Sequence, residues 1–174
     1  MASSVPLAVL LTVGAGCVHP YHTIRRAVED RRTVEVVMGR AEVRLQSGAS
    51  TTRAALPQSY QGLAEVFAEE LRRQWGTDRV VAGSRAGQHG AEVTILLDVE
   101  GEVHEDTGVM QLSLWARPIR TRDGKRLHVS YGHMLGGRET AAPTREEAFA
   151  ALEAPMREEA RLCAQRFAEA VDQY

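Results

Sequence analysis

Hydrophobic and polar residues alternate most regularly between Ala91 and His104. Apolar residues occupy the odd positions, and polar residues occupy most of the even ones. The apolar set is Val93, Ile95, Leu97, Val99 and Val103, and the polar set is Glu92, Thr94, Asp98, Glu100 and Glu102. A period of two predicts a strand with one face on a core and the other in water. We therefore expect the first four apolar side chains to be buried beneath helices, with Glu92, Thr94 and Asp98 more exposed.

Further strands are predicted on both sides of this segment from short alternating patterns. They are Thr33–Leu45, with a break near Gly39, Arg79–Gly83, Met110–Pro118 and Leu127–Tyr131. The Asp123-Gly124 dipeptide is a hairpin signal that joins the last two strands. Two stretches of small residues predict irregular connections: a loop at Ser47–Pro57 and a turn at Gly132–Gly137.

Two segments have the three- and four-residue spacing of an amphipathic helix. The first spans Ser59–Trp75 and ends before Gly76, a residue that commonly terminates helices. The second begins at a capping-box pattern, Thr144 to Glu147. Its apolar stripe is Phe149, Leu152, Met156, Ala160, Cys163, Phe167 and Val171. Pro155 is expected to kink this helix or to split it in two.

The order of these elements predicts an α+β fold with a two-layer sandwich. We expect an antiparallel sheet of about four to five strands, with two amphipathic helices covering one of its faces. Residues 33–174 are long enough to form a single domain with its own core. The sequence contains no internal repeat that would indicate a second unit.

The N-terminus has the pattern of a bacterial lipoprotein signal. A short apolar run, Leu7–Val13, is followed by Gly14-Ala15-Gly16 and then by Cys17. The run is shorter than the roughly 20 residues of a transmembrane helix and fits the hydrophobic region of a signal peptide. Residues 1–16 are therefore predicted to be the signal peptide, and Cys17 resembles the cysteine that becomes acylated, for example by palmitate. Ordinary secretion and a buried apolar segment are the alternatives.

The residues after Cys17 predict how the domain is attached. Residues 17–32 are rich in charge and histidine, so we interpret them as a tether between membrane and domain. Val18, in place of an aspartate, resembles the signal for an outer-membrane destination, with the domain facing the periplasm.

Lipidation of Cys17 would leave Cys163 without a disulfide partner, and a lone cysteine on an apolar stripe usually acts as a small buried hydrophobe.

Composition and motifs argue against several function classes. The chain of 174 residues has a net charge of −2, so no global positive field favours nucleic acid. No metal-ligand spacing, phosphate-binding loop or nucleophile motif is present. The acidic residues between Asp98 and Asp106 are explained by a solvent-facing strand. We expect no catalysis, no metal site and no cofactor.

A family resemblance is carried by the run ILLDVEGEVHEDTGVMQLSLWARPIRTRDGKRLHVSYGHM and the long terminal helix that follows it. This arrangement resembles the periplasmic domain of ABC-type transport auxiliary lipoproteins and, more loosely, lipoproteins that activate peptidoglycan synthases. The likeness covers roughly Ala91 to Val171. It implies an accessory protein that docks onto other envelope components in lipid transport or cell-wall synthesis.

The candidate contact surface is the polar face of the sheet, including Glu92 to Glu102, together with the loop Ser47–Ala55. Its candidate partner-binding residues are Trp115, Arg117, Arg126 and His128. Trp115 stands out because an aromatic side chain on a polar face is suited to anchor a protein partner. Packing under a loop explains it equally well. The alternative function is a periplasmic carrier that holds a lipid or small ligand between helices and sheet.

Overall fold

The computed structural model describes residues 20–124, 127 and 133–173. In chain order the elements are α1 (Pro20–Glu29), β1 (Val34–Ser47), β2 (Ser50–Ala55), α2 (Leu63–Trp75), β3 (Val80–Gly83), β4 (Val93–His104), β5 (Val109–Arg120), β6 (His133–Ala141) and α3 (Arg145–Asp172). A short 3-10 helix, Gln58–Gly62, precedes α2. The mixed α+β content is confirmed. The six strands and three helices of the described residues exceed the predicted four to five strands and two helices.

The sheet has the strand order β2-β1-β4-β5-β6, and β3 pairs with the first part of β1. Strand β1 is parallel to β3 and β4, whereas the pairs β1–β2, β4–β5 and β5–β6 are antiparallel. The predicted antiparallel sheet is therefore wrong, because the sheet is mixed. Parallel neighbours need a long crossover connection, and α2 supplies it between β2 and β3.

The core lies on the face of the sheet formed by the odd positions of β4. Val93, Ile95, Leu97 and Val99 are fully buried, which confirms the expectation for these residues. The apolar side chains of β5 and the buried stripes of all three helices belong to the same cluster. On the opposite face Glu92 is exposed as expected, whereas Thr94 and Asp98 are buried, contrary to the prediction. Both are covered because they bind neighbouring polar groups, described below.

The irregularity predicted near Gly39 is a β-bulge. Met38 pairs with Leu97 and Ala41 with Val99, so Gly39 and Arg40 together lie opposite Asp98 alone. The bulge shifts the core-facing positions of β1 from even numbers, such as Val36, to odd ones, such as Val43. It keeps the apolar side chains of both halves on the core. Gly39 is needed here because a Cβ at this position would collide with the Asp98 carboxylate.

The interpretation of residues 17–32 as a tether is wrong for α1. Tyr21, Ile24 and Ala27 are buried in the main core, and the Tyr21 ring meets Phe167 of α3 edge-on at 5.8 Å. Their three-residue spacing is the signal of a helical face, which the surrounding charges obscured. The folded domain thus includes residues before position 33. Cys17 and the predicted signal peptide, residues 1–16, lie outside the described residues.

Two segments predicted as irregular are strands. Ser47–Pro57 contains the turn Gly48-Ala49, with a φ of 55° at Gly48, and then β2. Strand β2 escaped prediction because it is an exposed strand without apolar alternation. Most of Gly132–Gly137, predicted as a turn, belongs to β6, which pairs with β5. The predicted return strand Leu127–Tyr131 lies outside the described residues except for Leu127.

The predicted helix signals are confirmed where the structure describes them. Gly76 has a φ of 59° at the end of α2, and the Thr144 hydroxyl accepts a hydrogen bond from the Glu147 N–H at 3.2 Å. The helix α3 continues through Pro155, so the predicted split is wrong. The carbonyl that loses its partner belongs to Ala151, an exposed residue, so water can satisfy it.

Cys163 is buried as expected, and burial raises the pKa of its thiol to about 12.

Glu70 joins α2 to α3 through a buried carboxylate. It accepts hydrogen bonds from Arg73 at 2.6 Å, from Gln74 at 2.6 Å and, across the helix interface, from Gln165 at 2.9 Å. These bonds favour the charged form, Arg73 foremost, and lower the pKa of Glu70 to about 2. The carboxylate therefore stabilises the fold only while it is ionised.

We expect the Glu70→Gln variant to lose less stability in acid than the wild type. The folded pKa lies below the unfolded one, so the contribution of Glu70 is present above about pH 4.5 and disappears as the pH falls toward 2. Because Arg73 is mostly exposed, we expect this contribution to be about 1–2 kcal/mol. Urea unfolding at pH 7, 4 and 3 measures it. Parallel pH profiles of the two proteins would contradict the assignment.

Candidate functional site

The face of the sheet opposite the helices divides into a covered part and an open part. In the covered part the Glu35 carboxylate is fully buried. It accepts a hydrogen bond from the Gly87 N–H at 2.6 Å, pairs with His89 Nδ1 at 2.8 Å and lies 3.4 Å from the Thr94 hydroxyl. The Thr94 hydroxyl also contacts Thr121 at 2.9 Å, which explains its burial. Glu35 thus fastens the segment that contains Gly87 and His89 onto the sheet.

The open part contains a surface depression of about 240 Å³, which we call the outer-face depression. Charged side chains from β1, β2 and β4 and polar side chains from β5 surround it. Its lining residues are Arg40, Glu42, Arg44, Arg53, Glu100, Gly101, Glu102, Gln111, Ser113 and Trp115. Three arginines therefore face three glutamates, and the lining has no excess of either charge.

The charges of the depression are paired across strands. The Arg40–Glu100 pair has an N–O distance of 2.9 Å, and the Arg44–Glu102 pair has one of 3.4 Å. A third pair, Arg53–Glu42, joins β2 to β1 at 3.4 Å. These side chains are between about one-third and two-thirds exposed, so each pair contributes less than about 1 kcal/mol to folding. Fold stability alone gives little reason for this surface.

Trp115 is the aromatic residue of the outer-face depression. It lies on β5 opposite Asp98 of β4 and is partly exposed. The indole adds a large apolar surface to an otherwise charged and polar lining. Tryptophan surrounded by polar groups is a common anchor in protein interfaces. The structure thus places this predicted contact residue on the open part of the sheet.

Arg117 lies two residues along the same face, and Asp98 holds it in place. The Arg117 Nη2 donates to Asp98 Oδ1 at 2.9 Å, and its Nε donates to Oδ2. Asp98 Oδ1 also accepts the N–H of Arg40, at 2.6 Å, inside the bulge. The hydrogen bonds to Asp98 raise the pKa of Arg117. Asp98 therefore occupies much of the Arg117 guanidinium, and the pair joins β5 to β4 next to Trp115.

The two other predicted contact residues, Arg126 and His128, lie outside the described residues. Arg53 lies within the predicted loop Ser47–Ala55 and lines the depression, whereas the sequence prediction missed Arg40 and Arg44. The missed signal is the order Arg40, Glu42, Arg44, which alternates with Ala41, Val43 and Leu45 after the bulge. The position of Arg40 and Arg44 beside Trp115 depends on the parallel register of β1 and β4, which the alternation within β1 does not reveal.

The depression offers a physical basis for binding a protein surface. Its arginines and glutamates can exchange partners with charges of either sign, and the indole can be covered by an apolar or cationic side chain.

No group of three or more His, Cys, Asp or Glu side chains within the described residues could hold a metal ion. Among these residues, no helix combines the length and apolar character needed to cross a membrane.

No family model matches the chain, and no curated protein matches it. Several solved structures are similar to it at low identity. A crystal structure of an uncharacterized protein is 20% identical, with a TM-score of 0.43, covering 78% of this chain and 90% of that one. A PelC dodecamer from Paraburkholderia phytofirmans is 12% identical, with a TM-score of 0.36 and coverages of 76% and 87%. A protein described as a "putative lipoprotein" from Caulobacter crescentus is 12% identical, with a TM-score of 0.37 and coverages of 88% and 96%.

Proposed function

We propose that this chain is a non-enzymatic lipoprotein of the bacterial envelope. In this proposal Cys17 carries the lipid that anchors the chain in the outer membrane, and the domain faces the periplasm. The outer-face depression binds a protein of an envelope complex, such as one for lipid transport or cell-wall synthesis. The chain then acts as an accessory or assembly component of that complex.

The observation that carries this proposal is the uncovered sheet face around Trp115. An open sheet face normally needs only solvated side chains, whereas this one adds an indole to a lining of exposed ion pairs. We infer that the Asp98–Arg117 pair, which joins β4 to β5 next to Trp115, restrains this part of the sheet. Such a pre-ordered aromatic surface loses little conformational entropy when a partner covers it.

The position of α1 supports attachment close to a membrane. The helix begins at Pro20, three residues after Cys17, and its buried face fixes it to the domain. Three extended residues span at most about 10 Å. A lipid on Cys17 therefore holds the domain near the bilayer surface, so the partner surface is presented to neighbouring membrane components.

The anchor is tested by metabolic labelling with an alkyne analogue of palmitate. We expect the wild type to incorporate the label and to sediment with membranes, whereas Cys17→Ser loses both properties. Cys163→Ala is the matched control, because it removes the other cysteine and should leave labelling unchanged. Incorporation that survives in Cys17→Ser, or a wild type without label, would contradict the proposal.

The partner surface is tested by site-specific photo-crosslinking in intact cells. A photoreactive residue replaces Gln111, which lines the depression, or Glu158, which lies on the exposed side of α3. We expect a discrete product with an envelope protein only from position 111. We further expect Trp115→Ala to reduce this product about tenfold or more, since a central aromatic anchor commonly contributes about 2 kcal/mol or more. Equal products from both positions, or an unchanged yield with Trp115→Ala, would contradict the assignment.

A further inference from the structure

The edge of the sheet at β2 has backbone groups that no described residue pairs with. Strand β2 is the end of the strand order, and β1 is its neighbour on the other side. The Leu56 N–H donates to the Ala41 carbonyl, which fixes the alternation of the antiparallel ladder. The backbone groups of residues 50, 52 and 54 therefore point toward β1. Those of residues 51, 53 and 55 point away from the sheet.

The edge lacks the features that usually protect an open strand. Natural edges are blocked by proline, by bulges or by several charged side chains. Strand β2 reads STTRAA and pairs with β1 in continuous register. Its side chains are small except for Arg53. The side chains of β2 therefore offer little obstruction to a second strand that pairs with the outward N–H and C=O groups.

An apolar groove lies beside this same edge, next to the first turns of α3. It has a volume of about 410 Å³ and is lined by the apolar residues Ala54, Ala55, Pro57, Phe149 and Ala150 and by the polar residues Ser59, Arg145, Glu146 and Glu153. The Ala54 side chain packs against the main core, so this side of β2 is the helix side of the sheet. Side chains alternate along a strand, so a strand added beside β2 would direct every second side chain into the groove. A large apolar residue suits that position.

The opposite side of the edge favours an acidic residue. Arg53 projects onto the outer face, and its side chain is 67% exposed. Its ion pair with Glu42, at 3.4 Å, occupies one side of the guanidinium. A strand beside β2 would place its outward side chains next to Arg53. A carboxylate at such a position would extend the row of cross-strand ion pairs already present on β1, β2 and β4.

We propose that the β2 edge binds an extended segment of a partner protein in which large apolar residues alternate with acidic ones. The backbone of the segment pairs with residues 51, 53 and 55, its apolar side chains fill the groove, and its carboxylates meet Arg53. A second copy of this chain fits less well. Its own β2 would offer Ser50, Thr52 and Ala54 to the groove, and its Arg53 would add a like charge to the outer face.

The test is selection of a displayed library of random ten-residue peptides on the full chain. We expect enriched peptides to alternate large apolar residues with Asp or Glu. Their affinity should fall at least tenfold for Thr51→Pro, which removes an outward N–H and leaves the bonds to β1 intact. Ala150→Arg, which obstructs the groove, should have a similar effect. Glu158→Arg, on the exposed face of α3, is the control and should bind as the wild type does.

Charge reversal separates strand pairing from adhesion to an apolar patch. Selection on Arg53→Glu should enrich Lys or Arg in place of the acidic residues, with the apolar alternation retained.

Peptides that bind Thr51→Pro and the wild type equally, or no enrichment over the Thr51→Pro variant, would overturn the proposal. So would self-association of the wild type that Thr51→Pro abolishes in sedimentation, because the second copy would then be the occupant. The β2 edge shares Arg53 with the outer-face depression. The two proposals are tested at different residues, Thr51 and Ala150 for the edge and Gln111 and Trp115 for the depression, so either can fail while the other stands.

Discussion

The Phe167→Ala variant is expected to lower the free energy of unfolding by about 4 kcal/mol, because the substitution leaves a large cavity in a packed core. Phe167 is 1% exposed. Its ring meets Tyr21 of α1 at 5.8 Å and Phe67 of α2 at 6.0 Å, both edge-on. One side chain of α3 therefore joins all three helices. Urea unfolding followed by circular dichroism measures the effect.

A matched variant separates lost volume from lost aromatic contact. Phe167→Leu keeps most of the apolar volume and should cost only about 1–1.5 kcal/mol. Combining Phe167→Ala with Tyr21→Ala should show a coupling of about 0.5–1.5 kcal/mol, as ring pairs do. A loss below 1 kcal/mol for Phe167→Ala would contradict the three-helix junction. Strict additivity with Tyr21→Ala would show that α1 does not pack there.

Strands β4 and β5 could be predicted because their patterns are determined locally. Each has one face on the core and one facing away from it, so buried residues such as Val99 and Leu112 have polar neighbours on both sides. The direction in which strands pair is set by the path of the connections. The parallel β1–β4 pair follows from the crossover through α2 and leaves no mark in the alternation of either strand. The strand positions were therefore accessible from sequence, and the mixed topology was not.

The elements missed by the sequence pattern bury little of their surface or bury it on a narrow stripe. Helix α1 has ten residues, and the arginines between its buried positions suggested a solvated tether. Strand β2 is exposed along nearly its whole length, so no alternation of apolar residues marks it. Propensity and periodicity detect elements through burial. Both elements depend on tertiary neighbours that the local sequence does not contain.

The candidate site was partly predictable for the same reason. Trp115 could be identified as an aromatic residue on a polar face, because the alternation of β5 is regular. Arg40 and Arg44 could not be placed beside it without the bulge and the parallel register. Asp98 was expected to be exposed, because alternation along a strand assigns its side chain to the outer face. The alternation does not show which polar groups on that face bind each other, and Asp98 is buried. Ion pairs and loop coverage decide burial on an outer face.

The Asp98→Ala variant is expected to lower the free energy of unfolding by about 2–3 kcal/mol. The change leaves the Arg117 guanidinium without its two-point partner and the Arg40 N–H of the bulge without its acceptor. Loss of one partner from a buried ion pair typically costs 3–5 kcal/mol, and we expect less here since Arg117 is 22% exposed.

Asp98→Asn and Glu100→Gln show whether the Asp98 carboxylate has a special role beside Trp115. Asp98→Asn keeps an acceptor for the Arg40 N–H and loses the charge, so it should have an intermediate effect on unfolding. Glu100→Gln removes a carboxylate from the exposed Arg40 pair and should change stability by less than about 1 kcal/mol. We also expect Asp98→Ala to weaken crosslinking from position 111, because Arg117 then no longer joins β5 to β4 beside Trp115. Equal unfolding energies for Asp98→Ala and Glu100→Gln would show that the buried pair does not support this surface.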